Sequence, residues 1–244
     1  MTTDGEKGGL DLIGLGAVAK AIPDEVYKAS AYALIDIIQK LTAPITETTG
    51  GLGRFISQKF ENMTVAERTL GEYAIARAHI KGQAKLKQMG GDFVAPQSSR
   101  SFLCSIEDAS KEIQPDLQEM WSSLIASQLI EGSCHPHFIE VMRHLSSDEA
   151  ALLTEMLPKH KLSRHQWTMA SASSFDLKWA RNVGETLNDW TVSCTLLLNF
   201  SLVDMVAPPE FYDGVNREAE EPHVILYRTK VGDAFLEAAG ISCE

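Results

Sequence analysis

Gly14-Leu15-Gly16-Ala17-Val18-Ala19 has the G-x-G-x-x-A form of a dinucleotide-binding turn. Asp36 follows at about the distance at which such sites place an acid on the ribose. The glycines would let the backbone approach a pyrophosphate at a helix N-terminus. The surroundings argue against this chemistry. Asp36 should close a second strand, yet it falls inside a helical pattern running from Pro23 to Leu41, and alternating strands and helices do not follow. An apolar helix packed through small residues is the plainer account, and no cofactor is assigned.

Cys134-His135-Pro136-His137 has the residue types of a metal fragment, with His160 and His165 farther along. Zinc takes four ligands, usually as two spaced pairs, and nothing in the spacing fixes the second pair. His135 more simply precedes a proline-started helix whose free N–H groups it can cap. No metal is assigned. Arg77, Lys81 and Lys85 recur at helical spacing with Lys87 close by, and no acid lies between Glu72 and Asp92. This stripe is a candidate anion-binding face for RNA, DNA or lipid headgroups. It lacks neighbouring aromatic residues for base stacking, so a solvated face pairing with acids elsewhere is the simpler account. G-x-S-x-G, Walker-type and H-E-x-x-H motifs are absent from the sequence. No catalytic residues are nominated, and the reading leans away from an enzyme.

Charge narrows the partners. Residues 1–100 carry 12 Lys+Arg against 11 Asp+Glu, whereas residues 101–244 carry 10 against 22. An acidic stretch of that size repels phosphate backbones, which disfavours nucleic acid and suits a basic protein partner. The glycine-rich apolar stretches 10–22 and 45–56, with Lys20, Arg54 and Lys59 nearby, leave a membrane surface as a second candidate. Burial in a helical core explains them as well. Four cysteines, none in a CxxC pair, and an N-terminus without a basic and then apolar leader point to reduced thiols in the cytoplasm.

The elements that must position these residues are mainly helices. Residues 1–9 read as a flexible tail and 10–95 as an N-terminal helical region. Pro23-Asp24-Glu25 suits a helix start, and Thr64-Val65-Ala66-Glu67 is a capping box that opens a helix reaching about Met89. Gly90-Gly91 ends it, and residues 90–101 form the expected hinge. Leu117, Met120, Trp121, Leu124, Ile125 and Leu129 make a wide apolar stripe after Pro115. Gly132-Ser133 breaks the chain, and Pro136 restarts it. Ser146-Ser147-Asp148-Glu149 is a second capping box, with Leu153 and Leu157 continuing its face to Pro158. Trp167, Phe175 and Trp179 add bulk to a stretch, 159–183, that shows no clear period. A helix over roughly 185–200, an acidic loop from Pro208 to Pro222, a strand over His223–Arg228 and a closing helix follow. Thr229 is its expected cap and Gly240 its stop. The expected fold is mainly α, with a small winged-helix-like β-hairpin near the C-terminus and the acidic loop as the wing.

Three ordered blocks carry a likeness. Residues 116–126 (DLQEMWSSLIA), 135–141 (HPHFIEV) and 145–150 (LSSDEA) resemble the "L-x-x-x-W/F-x-x-L-L-A", "H-P-x-F" and "L-S-x-x-(D/E)-A" helices of the Abi-alpha family. Tyr227 to Phe235 resembles its closing "L-T-x-x-G-x-x-F". The segments from Ile22 to Tyr27 and Leu41 to Ile45 fit more loosely, Ile125 and Arg228 replace leucines, and 159–183 has no counterpart. The family-motif residues are Leu117, Trp121, Leu124, Ala126, His135, Pro136, Phe138, Leu145, Ser146, Gly232 and Phe235, read as structural. The resemblance delimits 96–244 as an Abi-alpha-like helical domain and implies phage defence by association, with no catalytic residue to carry over. The expectation is a non-enzymatic defence protein that senses or binds a partner, phage-derived or a second copy. A winged-helix regulator and a membrane-surface effector using residues 10–56 are the alternatives.

Overall fold

Thr64 opens helix α1 (Val65–Met89) through the expected box: its hydroxyl accepts from Glu67 N–H at 3.2 Å, while the Glu67 carboxylate accepts from Thr64 N–H at 2.9 Å. A computed structural model describes residues 58–130, 134–161, 174–176, 189–206 and 223–242. The tail 1–9, the Gly14–Ala19 turn with Asp36, the Pro23 helix, the 10–56 stretches, the Gly132-Ser133 break, His165, Trp167, Trp179 and the acidic loop lie outside them, as does the side chain of Phe175. Two compact units divide the chain: 1–143 with 238–240, and 144–237 with 241–244.

In the first unit, α1 is followed by α2 (Ser99–Ala109), α3 (Pro115–Ile130) and α4 (Pro136–His144). α1, α2 and α3 pack against one another. α1 buries Gly71, Ala74, Ala78 and Gly82, small residues at three- and four-residue spacing. The rings of Phe60 and Phe93 occupy the space that a Cβ at Gly71 and at Gly82 would need, with ring carbons at 3.1 and 3.0 Å. α3 is buried on nearly every side from Leu117 to Leu129, and Trp121, Leu124, Ile125 and Leu129 are almost wholly enclosed. Each such side chain contributes about 1.5–3 kcal/mol on burial. Buried amides of α3 find local acceptors: Gln118 donates to Ala109 O and Glu112 O, and Gln128 donates to Ser105 Oγ at 3.0 Å.

α2 was not expected. Ser98 Oγ accepts from Ser101 N–H at 3.2 Å, and Phe102, Ser105, Ile106 and Ala109 form its buried face. The segment expected as a hinge, 90–101, therefore contains a helix start. It is tied within the first unit, where Val94 N–H donates to Leu129 O at 2.7 Å. Arg143 links α4 to α2 through Asp108 Oδ2 at 2.6 Å.

The second unit begins with α5 (Ser147–Glu155). Ser146 N–H donates to Glu149 Oε2 at 2.7 Å, and Ser193 Oγ of α6 (Asp189–Asn199) donates to Glu149 Oε1 at 2.5 Å. Burial pushes the Glu149 carboxyl upward, but these hydrogen bonds outweigh it and hold the group below its usual range. Leu153 is fully buried, whereas Leu157 lies beyond the end of α5 and is exposed. α6 ends in a Schellman turn: Leu202 N–H donates to Leu197 O at 3.1 Å across Ser201, which takes φ +57°.

Strand β2 (Val203–Val206) pairs antiparallel with β3 (His223–Arg228), Val203 facing Arg228 and Val206 facing Ile225. A third strand, β1 (Ser174–Asp176), lies on the other edge of β3, in the stretch where no period was readable. The fold is thus mainly helical with a small antiparallel sheet, and β3 is its centre. α7 (Lys230–Ala238) follows at once, with Gly232 N–H donating to Thr229 Oγ1 at 3.0 Å. Gly240, at φ +81°, stops it, and Ile241 N–H reaches back to Leu236 O.

Candidate functional site

The nominated cationic stripe of α1 is partly consumed by one carboxylate. Glu119 of α3 takes Arg77 Nη2 at 2.6 Å and Lys81 Nζ at 2.8 Å, and Tyr73 OH donates to it at 3.3 Å. Lys81 Nζ also donates to Glu119 O and to Ser123 Oγ. Burial raises the Glu119 carboxyl, yet the two cations outweigh it and keep it below its ordinary value. Burial lowers Lys81 despite the same contact. Lys85 is half-buried and Lys87 is exposed toward the helix end. Arg77 and Lys81 thus clamp α1 to α3, and their charge is offset inside the first unit.

His135 sits at the start of α4, where its Nδ1 accepts from His137 N–H at 3.2 Å. That is the capping role the sequence suggested. Among the described residues no group of three or more His, Cys, Asp or Glu is placed to hold a metal ion. The other family-motif residues are distributed through both units. Leu117, Trp121, Leu124, Ala126, Leu145, Gly232 and Phe235 are buried, while Pro136 and Ser146 are exposed at helix starts and Phe138 is half-buried.

Ionisable groups converge instead in the second unit, from three separate pieces of chain. A 3-10 turn, Lys159–Lys161, is set beside β3 by Arg228 N–H donating to Leu157 O at 3.1 Å. Asp204 of β2 stands directly across from Tyr227 of β3. Thr229 and Lys230 start α7. Between these pieces lies an open cleft of about 400 Å³, lined by Lys159, His160, Asp204, Tyr227, Arg228, Thr229 and Lys230. Tyr227 OH donates to Asp204 Oδ2 at 2.7 Å and accepts from Lys159 Nζ at 3.0 Å. Arg228, 5% exposed, brings Nε to 2.9 Å from Asp233 Oδ1, off the line of a hydrogen bond, and His160 Nδ1 lies 3.8 Å from Asp233 Oδ2.

The electrostatics define what this chain of groups can do. Burial pushes the Tyr227 phenol up, against the hydrogen bond from Lys159, and the Asp204 acceptor adds to the rise. The hydrogen bond to Tyr227 holds the Lys159 ammonium above its ordinary value. The phenol stays protonated, its proton donated to Asp204, and the amine stays charged at neutral pH. Neither is primed as a base or nucleophile.

Sequence reasoning did not single out this cleft. Lys159 fell in the unreadable stretch, Asp204 was not singled out, and Tyr227 to Lys230 entered only as strand, cap and helix start and through the family likeness. Asp204 and Tyr227 are 23 residues apart, so their cross-strand pair left no local signal in the sequence.

Among the described residues no helix is long and apolar enough to cross a membrane. No curated protein and no solved structure matches the chain. The family model described as abortive infection alpha matches residues 96–238, more than half of the sequence, from just before α2 to the end of α7. The chain belongs to the abortive infection alpha family.

Proposed function

We propose that this chain serves abortive-infection-type defence by binding a partner, and that it does so without catalysing a reaction. The observation that carries this reading is the Lys159–Tyr227–Asp204 chain, whose proton is kept on the phenol and whose amine is kept charged. Such a site recognises through fixed donors and acceptors, with its Asp204 carboxylate already occupied by the Tyr227 hydroxyl. The strongly acidic charge of residues 101–244 favours a basic protein partner, phage-derived or a second copy, by electrostatic attraction. The free thiols of Cys104, Cys134 and Cys194 fit a cytoplasmic setting. Tagged protein recovered during infection should bring down one specific protein, and cells carrying the gene should plate phage less efficiently. Recovery of no specific partner together with unchanged plating would end this reading.

One observation favours a second reading, a winged-helix regulator. The sheet order β1-β3-β2, with α6 leading into the β2–β3 pair, supports that reading. The acidic charge opposes it, because phosphate contacts need cations. Gel shifts with duplex DNA at low salt decide the matter: no retarded band excludes this alternative.

A further inference from the structure

We propose that the cleft of the second unit binds the phosphate group of a small ligand, either free phosphate or a nucleoside phosphate, seated between Lys159 and Lys230 against Arg228. The inference uses the same cleft as the binding role above but does not require the role in defence. Its first support is the state of the carboxylates. Asp204 accepts from Tyr227 OH and from Met205 N–H at 2.8 Å and acts on Lys159 through the shared phenol, while Asp233 lies against Arg228 Nε. Lys159 Nζ donates to a neutral phenol, and with Lys230 it outnumbers the one carboxylate of the lining, Asp204. Lys230 is exposed on the same lining and makes no ion pair among the described residues.

Arg228 is the second support. Its guanidinium has five N–H donors, and within the protein it makes a hydrogen bond to Thr154 O at 3.3 Å and an off-line contact to Asp233. Arg228 is thus buried beside the cleft with its charge paired to Asp233 and its Nε without a hydrogen bond. A planar guanidinium matches a phosphate face in a way a lysine does not. The nine-residue α7 starts at Lys230, and the positive end of its dipole adds to the same potential.

The size of the ligand follows from two magnitudes. A volume of about 400 Å³ lies within the range of small-molecule sites and exceeds what a bare phosphate fills. A polyanion would also meet the excess of 22 acids over 10 cations that residues 101–244 carry, which repels an extended chain of phosphates. A single phosphate group responds mainly to charges within about 8–10 Å. The cleft therefore fits a monomeric phosphate ligand better than a strand.

The test is isothermal titration of the full chain with inorganic phosphate and with ADP, against sodium chloride at matched ionic strength. Saturable binding that weakens roughly tenfold or more in Lys159→Gln/Lys230→Gln, and is unchanged in Lys87→Gln, supports the site. Tighter binding of ADP assigns a nucleoside phosphate, and equal or better binding of phosphate assigns the free anion. Both lysines are exposed, so circular dichroism of the double variant should match the parent. Heat reproduced by sodium chloride, binding equal in all three proteins, or binding of a single-stranded oligonucleotide alone would overturn the proposal. Phage plating is read separately: phosphate binding without protection removes the defence reading and keeps the site, whereas protection without phosphate binding does the reverse.

Discussion

Gly232→Ala is the substitution whose outcome the backbone geometry fixes most firmly. Gly232 is the third residue of α7, where a helix ordinarily gains about 1 kcal/mol from alanine over glycine. Here a Cβ would meet the Leu202 carbonyl, with the carbon at 3.1 Å and the oxygen closer still. Relief requires the α6–β2 corner to move, because the obstacle is backbone and cannot rotate away. Leu202 O accepts from Thr229 N–H at 3.0 Å and from Thr229 Oγ1 at 3.2 Å, and both bonds would be pulled open. Two net hydrogen bonds are worth about 1–3 kcal/mol together. Overpacking adds about 1–3 kcal/mol. After the helix gain is subtracted, the expected loss is about 3 kcal/mol. Urea unfolding followed by tryptophan fluorescence and circular dichroism should show the midpoint lowered by about 1 M or more, at slopes typical of such domains. Gly82→Ala is the control, since its obstacle is the half-buried Phe93 ring, which can turn aside. An unchanged or raised midpoint for Gly232→Ala would show that the close approach to Leu202 does not exist.

Three further substitutions test the packing. Ser201→Gly should stabilise the protein by about 0.5–1 kcal/mol, because Ser201 holds φ +57° at the end of α6, and a lowered melting temperature would contradict that cap. His79 is buried with both ring nitrogens lacking hydrogen-bond partners, and burial lowers its pKa below the ordinary 6.5. The unfolded chain therefore takes up the proton first, and stability is lost as pH falls below about 6.5. His79→Phe should raise stability by about 1 kcal/mol or more and flatten this slope, whereas an unchanged slope between about pH 7.5 and 5.5 would refute it. Glu119→Gln should cost about 1 kcal/mol at neutral pH, a modest figure because both ends of the pairs are about a third exposed. The folded pKa of Glu119 lies below 4.5, so its contribution is complete above that pH and is lost as pH falls through the folded value. The gap between parent and variant should close there, and a gap that persists in acid would count against the ion pairs.

What could be read from the sequence was what local chemistry dictates. Both capping boxes, the Pro115 and Pro136 starts, the Thr229 cap and the Gly240 stop all depend on residues a few positions apart, and each falls where expected. The stripe from Leu117 to Leu129 was legible because a helix buried on nearly all sides shows apolar residues at every turn. β1 escaped because three residues are too few to show alternation. α2 was masked by the glycine and proline before it, although Phe102, Ile106 and Ala109 carry a helical period. The cleft could not be read, because Lys159, Asp204 and Tyr227 meet only through the pairing of β2 with β3 and the seating of a turn beside them. The stripe from Arg77 to Lys87 was legible as a face pairing with acids elsewhere, but its partner was not. Its opposing acid, Glu119, is 42 residues from Arg77 in sequence and one helix away in space.

The central claim is that the second unit works by recognition through the Lys159, Tyr227 and Lys230 cleft. Its most direct measurement is the efficiency of phage plating on cells producing the parent, Lys159→Gln/Lys230→Gln or Lys87→Gln at equal protein levels. The account predicts protection by the parent and by Lys87→Gln, and its loss in the double variant with folding intact. Full protection by the folded double variant would contradict it.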